Sequence, residues 1–317
     1  TADYKWYVAD NHLHNAQVTV QDINRATLIN GEASQLIQGK MVCLRPPADD
    51  LRLNLSLPTT LLQKHRRVQI QVDFFYVNKI VFLHSKSAKV QFLTVQQCDN
   101  RSKATIINGL HAIKKIYETR GFDITDIHAD NESDIPDLHQ EMLPSKLKIY
   151  ARNEHVPLVE RSIRTIKERC RCHCHSVPYL KQTRLMTIHM VETVVHWLNA
   201  FPSKNGISKS LSPSNIVLGV PKPDFNTEKI AFGSYALVFS QSKNSMKARS
   251  VPAIALSKSN DRGGYFFMSF YTGKEIHAYK WRELPINDEV IHRVTELANQ
   301  QKHGKITDKL PLFEWRP

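Results

Sequence analysis

The stretch RVQIQVDFFYV at residues 67–77 decides the fold, because its residues alternate in polarity from Arg67 to Phe74. Val68, Ile70 and Val72 share one side of the repeat, and polar residues, among them Asp73, share the other. A period of two residues predicts a β-strand with one apolar face. Aspartate is depleted in strands, so Asp73 on the polar side is a candidate for a functional role.

The segments that follow predict a three-stranded meander and then alternating helices and strands. KIVFLHS and AKVQFLTV are β-rich runs joined by a polar turn at SKS. RSKATIINGLHAIKKIYETRG predicts a helix with Asn100 as N-cap and Gly121 past its end. FDITDIHAD predicts a strand ending at Asp130, and LKIYA predicts a fifth strand. Two helices follow, one starting near Pro157 and one spanning roughly 180–200. This order predicts an α/β fold with a mixed five-stranded sheet flanked by helices.

Shifts in composition predict five segments along the chain. Ser, Pro, Asn and Gly are frequent in SKNGISKSLSPSNIVLGVPKPDFN at residues 203–226 and indicate a linker. The β-rich runs that follow are short and broken by turn residues, which favours a small SH3-like barrel. We expect an N-terminal extension of short helices, an α/β core, a linker, a β-barrel and a C-terminal helix with a tail, at residues 1–62, 63–205, 206–229, 230–285 and 286–317.

The charge of the chain indicates a polyanionic partner. The net charge is +13 and the isoelectric point is about 9.5, which favours nucleic acid. No run of about 18 apolar residues occurs, so no membrane span is expected. Three of the five cysteines crowd into CRCHCH, which excludes a disulfide framework and suits a reducing compartment. The chain lacks a starting Met, and we expect it to be cut from a longer product.

Three carboxylates fall at positions where this sheet would gather them. Asp73 lies in the first strand, Asp130 ends the fourth, and Glu160 lies in the first turn of the helix after the fifth. Carboxylates brought together without a partner repel each other, and a divalent cation removes that conflict. Two such ions clamp the attacking and leaving oxygens of a phosphoryl transfer. The competing interpretation is a solvated face of acids paired with bases, which is common on helices.

The helix that carries Glu160 predicts one apolar and one charged stripe. The apolar stripe, at spacings of three and four residues, consists of Val159, Ile163, Ile166 and Cys170. The charged stripe, one residue further round, consists of Glu160, Arg164, Lys167 and Arg171. Its cations predict contacts with DNA phosphates beside the carboxylate.

Several further residues are candidates for DNA contact. His155, just before the helix, would touch DNA, position a metal-bound water or cap the loop, and Asn131 would support the site beside Asp130. Basic residues on turns of the predicted barrel would bind DNA or form a solvated surface; they are Lys243, Lys247, Arg249, Lys258 and Arg262.

Three stretches of the sequence resemble a known family. VDFFYVNKIVFL, IHADNESDI and NEHVPLVERSIRTIKERCR resemble the integrase core of Ty1/copia-type LTR retrotransposons, within the retroviral integrase superfamily. The copia-like integrases of diatoms and other protists are the most similar group, and GGYFFMSFYTGKEIHAYKWRELP resembles a second string of theirs. The resemblance extends over about residues 17 to 295.

The resemblance implies an RNase H-like core and a D,D,E triad carried over onto Asp73, Asp130 and Glu160. It implies two Mg²⁺ or Mn²⁺ ions, and transfer of a cDNA 3′-hydroxyl onto target DNA. Basic residues on the glutamate helix of the family match Arg164 and Lys167. The resemblance also implies a homo-oligomer, either a dimer or a tetramer, that acts in the nucleus after a stage in cytoplasmic virus-like particles.

The sequence departs from the family pattern in two places. Asp130 and Glu160 are 30 residues apart, a shorter spacing than in retroviral enzymes, so the intervening segment is a trimmed helix or loop. The N-terminal zinc module of retroviral integrases has no readable counterpart here. CRCHCH does not have the usual CxxC spacing, and we expect a polar, half-buried helix end in place of a zinc site.

Two other functions remain open from the residues. An RNase H-like nuclease on the same metal site would cut DNA without joining it. A catalytically silent DNA-binding or assembly module would bind DNA and do neither.

Overall fold

The computed structural model describes residues 2–10, 12, 17–41, 56–130, 138–150, 157–224, 230–239, 246, 248–259 and 263–301. The helices are α1 (Ala2–Ala9), α2 (Val20–Asn30), α3 (Ser34–Lys40), α4 (Thr59–His65), α5 (Lys103–Glu118), α6 (Leu138–Glu141), α7 (Pro157–Ser176), α8 (Arg184–Ala200), α9 (Pro213–Val217) and α10 (Asp288–Gln300). The strands are β1 (Arg67–Val77), β2 (Ile80–Ser87), β3 (Leu93–Cys98), β4 (Asp123–Asp130), β5 (Lys146–Tyr150), β6 (Tyr235–Phe239), β7 (Ser250–Lys258), β8 (Tyr265–Ser269), β9 (Glu275–Ala278) and β10 (Trp281–Leu284).

The chain forms two compact units, and each contains one five-stranded sheet. One unit consists of residues Pro47–Lys229 and Ala298–Pro317, and the other of Thr1–Pro46 and Ile230–Leu297. The domain boundaries predicted from the sequence stay predictions.

The sheet of the first unit has the predicted mixed architecture. Its strand order is β3-β2-β1-β4-β5, with β2 antiparallel to its neighbours and β4 and β5 parallel to β1. This order and direction are those of the RNase H-like fold, which confirms the predicted fold class. A tight turn with positive φ at Asn78 (51°) and Lys79 (62°) joins β1 to β2, the combination that suits a two-residue hairpin.

The two faces of β1 receive different helices. Its apolar face carries Val68, Ile70 and Val72, which are at most 3% exposed and share a core with apolar residues of α5. Its other face is covered by α7, which also packs on β2, while α8 packs on β3. The sheet is therefore the middle layer between helices on both sides.

The turn between β2 and β3 differs from the prediction. β2 continues through SKS to Ser87, and the turn follows it. The side chains explain the error, because both serines of SKS are buried and hydrogen-bonded. The Ser87 hydroxyl accepts the N–H of Phe92 at 2.9 Å, and Ser85 bonds Thr94 at 2.6 Å. Polar residues with buried partners continue a strand that their composition alone would end.

The N-cap predicted at Asn100 is wrong, because α5 begins two residues later than expected. The Ser102 hydroxyl accepts the N–H of Thr105 at 3.3 Å and so caps the helix. Asn100 accepts the N–H of Ser102 at 3.0 Å and supports the cap from outside.

The stretch expected to be a linker contains packed structure. Within it, α9 begins at a capping box between Ser212 and Asn215. Ile216 and Val217 are at most 1% exposed and belong to the core shared with α5. These contacts fix α9 to the α/β unit.

The second unit combines helices from the start of the chain with an antiparallel sheet from its end. The strand order is β10-β6-β7-β8-β9, compatible with the predicted small barrel. Thr19 is the N-cap of helix α2, and its side chain forms a capping box with Asp22. Ile37 and Met41 pack against Leu237 of the sheet, which fixes the region of α3 to it.

Among the described residues, no helix is both long enough and apolar enough to cross a membrane.

Candidate active site

Asp73 and Asp130 occupy neighbouring positions on adjacent parallel strands. The last aligned pair of β1 and β4 is Val72 with Ala129, and each aspartate is the next residue of its strand. Val72 and Ala129 are buried in the core shared with α5, so strand alternation turns both aspartates to the opposite face. Both carboxylates are half-buried, and Asp73 Oδ1 accepts the N–H of Phe74 at 2.7 Å. The two aspartates therefore lie on one face of the sheet, on adjacent strands.

Glu160 lies in the first turn of α7, half-buried, and this turn is fixed to β1 by one side chain. The Gln71 side-chain oxygen accepts the N–H groups of Leu158 and Val159 at 3.0 and 3.1 Å. Gln71 is two residues from Asp73 on the same face of β1. It satisfies two amides that the first turn of a helix leaves open, and so holds the turn that carries Glu160 over the face that carries Asp73.

A second tether joins the same turn to β2. His84 lies directly opposite Asp73 in the ladder and is completely buried. Its Nδ1 lies 2.7 Å from the Thr94 carbonyl, and its Nε2 lies 2.6 Å from the Ser162 hydroxyl of α7. A carbonyl can only accept, so Nδ1 carries a hydrogen. The single hydrogen of the Ser162 hydroxyl has two acceptors within reach, Nε2 of His84 and the Val159 carbonyl at 2.8 Å. Burial lowers the pKa of His84 to about 4, which favours the neutral ring, and a neutral ring with its hydrogen on Nδ1 accepts the Ser162 hydrogen at Nε2.

The same face of the sheet carries further polar side chains on β4 and β5. Tyr150 lies opposite Asp130 in the ladder, and its hydroxyl lies 2.6 Å from Nδ1 of His128, with the two rings stacked. Asp126 forms an ion pair with Lys148 at 3.1 Å. Burial lowers the pKa of His128, and the Lys148 charge lowers it further. A polar surface thus adjoins the candidate carboxylates.

The donor types suit a hard divalent cation, but their arrangement is incomplete. Asp73, Asp130 and Glu160 offer carboxylate oxygens, which Mg²⁺ prefers. Among the described residues, no three His, Cys, Asp or Glu side chains are grouped closely enough to hold a metal ion. The structure brings the two aspartates to neighbouring positions and holds the helix of Glu160 nearby, without forming one ligand set.

The predicted charged stripe of α7 is only partly at the surface. Arg164 and Arg171 are exposed, whereas Lys167 is 4% exposed and lies on the buried side of the helix. The apolar stripe is confirmed, because its four residues are all completely buried. DNA contact by the three cations stays a prediction, and the burial of Lys167 limits its access to a phosphate. His155 and Asn131 lie outside the described residues.

The basic residues predicted on the barrel are also only partly described. Arg249 lies just before β7, and Lys258 is the last residue of that strand. Lys243, Lys247 and Arg262 lie outside the described residues. Their contact with DNA stays a prediction.

Three positioning residues were missed from the sequence. Gln71 could have been found, because strand period places it beside Asp73 on one face. His84 offered a weaker signal, an imidazole within a β-rich apolar run. Ser162 offered none, because its role depends on His84 in a distant strand.

One solved structure is similar to part of this chain. The catalytic core domain of BIV integrase is 15% identical, with a TM-score of 0.36, over 47% of this chain and 93% of that one. At this level the likeness concerns the fold alone and adds nothing to what the strand order already gives. No model of a protein family matches the sequence, and no curated protein matches it.

Proposed function

We propose that this chain is a polynucleotidyl transferase of the retroviral integrase superfamily, the integrase of a Ty1/copia-like retrotransposon. In this proposal it joins the 3′ ends of element cDNA to target DNA. The observation that carries the proposal is the neighbouring placement of Asp73 and Asp130 on parallel strands of an RNase H-like sheet. The tethering of the Glu160 turn by Gln71 supports it, because the third acid is held over the same face.

The proposal assigns two Mg²⁺ or Mn²⁺ ions to Asp73, Asp130 and Glu160. Such ions polarise the phosphodiester and activate the attacking hydroxyl. The contribution of the chain is positional: β1 and β4 place two carboxylates side by side, and Gln71 orients the helix with the third. No covalent intermediate with the protein is required, since water or a 3′-hydroxyl attacks directly.

The partners in this proposal are two DNAs and further copies of the chain. The net charge of +13 supports binding to a polyanion. We propose a dimer or tetramer that acts on element ends and target DNA in the nucleus, after a stage in cytoplasmic particles.

The test is transfer of a labelled blunt DNA end into a plasmid, with Mg²⁺, Mn²⁺ or EDTA. We expect joined products that require metal and disappear in Asp73→Asn, Asp130→Asn and Glu160→Gln, while DNA binding is retained. Asp99→Asn and Glu168→Gln are matched controls, because both acids are exposed and Glu168 lies on the same helix as Glu160. Full activity in any of the three site variants would remove that residue from the site.

The same gel separates the rival functions. Metal-dependent cleavage without joining would indicate an RNase H-like nuclease on the same acids. DNA binding without cleavage or joining would indicate a DNA-binding or assembly module.

A further inference from the structure

Lys86 is a half-buried cation on the polar face of the sheet, close to the candidate acids. It lies directly opposite Gln71, and it is two residues from His84, which lies opposite Asp73. With about 3.3 Å per residue along a strand and about 4.8 Å between strands, the backbones of Lys86 and Asp73 are about 8 Å apart. Lys86 therefore lies beside the candidate site and is separate from its carboxylates.

A second cation, Arg161, is brought to the same place by the tethers of α7. Gln71, the ladder partner of Lys86, binds the amides of Leu158 and Val159, and Arg161 follows two residues later. The next residue, Ser162, bonds His84 on the strand of Lys86. The backbone of Arg161 thus lies between two hydrogen-bonded tethers to β1 and β2.

Neither charge is neutralised within the part of the chain that the structure describes. No ion pair joins the side chain of Lys86 or Arg161 to an acid there. Burial lowers the pKa of Lys86, and the charge of Arg161 lowers it further. Arg161 is exposed, whereas Lys86 is half-buried and has lost part of its water. A second positive charge beside a partly desolvated cation is unfavourable unless an anion compensates them.

We propose that Lys86 and Arg161 together bind one phosphate of the DNA backbone, on the strand that enters the candidate active site. The proposal rests on the proposed function, since it assumes that DNA occupies this face. The guanidinium of Arg161 can donate two parallel hydrogen bonds to phosphate oxygens, and the ammonium of Lys86 can bind another oxygen of the same phosphate. A DNA strand has one charge per about 3.4 Å of helix axis, and the path from phosphate to phosphate is longer because the strand winds round that axis. A separation of about 8 Å therefore places the contacted phosphate one or two nucleotides from the one that reacts.

The test measures the affinity of the full chain for a series of short labelled DNA duplexes. In each duplex one backbone phosphate near the reactive end is replaced by an uncharged methylphosphonate. The wild type, Lys86→Gln/Arg161→Gln and Lys86→Arg are compared, with Lys115→Gln as a matched loss of charge on α5, which packs on the other face. Urea unfolding of each variant verifies that the fold is retained.

We expect the wild type to lose affinity several-fold at one position, one or two nucleotides from the reactive phosphate. The double variant should no longer respond at that position, and its slope of log affinity against log salt should be shallower by about 1. Lys86→Arg and Lys115→Gln should retain the wild-type profile. A purely structural role would not remove the response to one particular phosphate.

Two results would overturn the inference, and they differ in what else they overturn. If the double variant responds at every position as the wild type does, the phosphate site is wrong and the proposed function stands. If the wild type does not bind the duplexes at all, both proposals fail together.

Discussion

Replacing Gln71 by leucine tests whether one side chain holds the third acid in place. Leucine is similar in size and removes the oxygen that accepts the N–H groups of Leu158 and Val159. A typical hydrogen bond contributes about 1 kcal/mol, and a buried amide left without a partner costs about 1 to 3 kcal/mol. Val159 is buried and Leu158 is half-buried, so we expect a loss of about 2 to 3 kcal/mol.

The measurement is urea unfolding of the full chain, with strand transfer assayed at a concentration where every variant is folded. Gln69→Leu is the matched control, because it makes the same change on the same face, where the Gln69 amide has only a weak contact with Asp126 at 3.4 Å. Gln71→Glu keeps an acceptor at the helix N-terminus and should restore the stability. Transfer in Gln71→Leu should fall by up to about 100-fold, since small displacements of catalytic groups have effects of this size.

The reasoning would be refuted by a Gln71→Leu protein as stable as Gln69→Leu within about 0.5 kcal/mol. A loss of stability with unchanged transfer would show that the tether supports the fold without positioning Glu160.

Three further predictions concern the packing around the site. The buried Asn199 side chain donates to the carbonyl of Leu93 at 2.7 Å and accepts the N–H of Leu93 at 2.9 Å. Asn199→Ala should therefore lower the unfolding free energy by about 3 kcal/mol. As a control, Asn108→Ala at an exposed position should change it by less than about 0.5 kcal/mol. Burial lowers the pKa of His84 from 6.5 to about 4, so the neutral ring stabilises the fold fully above pH 6.5 and this stabilisation is lost as the pH falls towards 4. Over this pH range, urea unfolding should show that the unfolding free energy of the wild type falls by about 3 kcal/mol more than that of His84→Asn. Equal losses in the two proteins would contradict the buried neutral ring. Among the described cysteines only Cys172 is exposed, so brief alkylation followed by peptide mass spectrometry should modify it before the other three, and early labelling of a buried thiol would contradict the packing of α7.

The sequence predicts the α/β unit well where polarity repeats over many residues. The alternation of β1 and the apolar stripe of α7 each correspond to one buried face in the structure. Such patterns can be recognised in the sequence because side chains repeat on one face with a period of 2 residues in a strand and 3.6 in a helix. The same regularity sets Asp73 and Asp130 on one face of adjacent parallel strands.

The features that the sequence did not predict depend on partners far along the chain. SKS resembles a turn because its polar residues have no local reason to be buried. Ser85 and Ser87 are buried because β2 is a central strand with neighbours on both sides, and their hydroxyls find partners in the residues that lead into β3. No local pattern encodes those partners, and the same reason hid His84 and Ser162.

The face of the sheet under α7 changes character along its length, and this change connects the fold to the site. At one end, Phe75 and Phe82 are completely buried and stacked on each other. Two residues along each strand, Asp73 and His84 form the next pair on the same face. The helix therefore needs apolar packing along its body and side-chain hydrogen bonds at its first turn. Glu160 in that first turn is held by the apolar packing of the helix body and by the hydrogen bonds of the first turn. A stable core can position a carboxylate beside polar residues in this way.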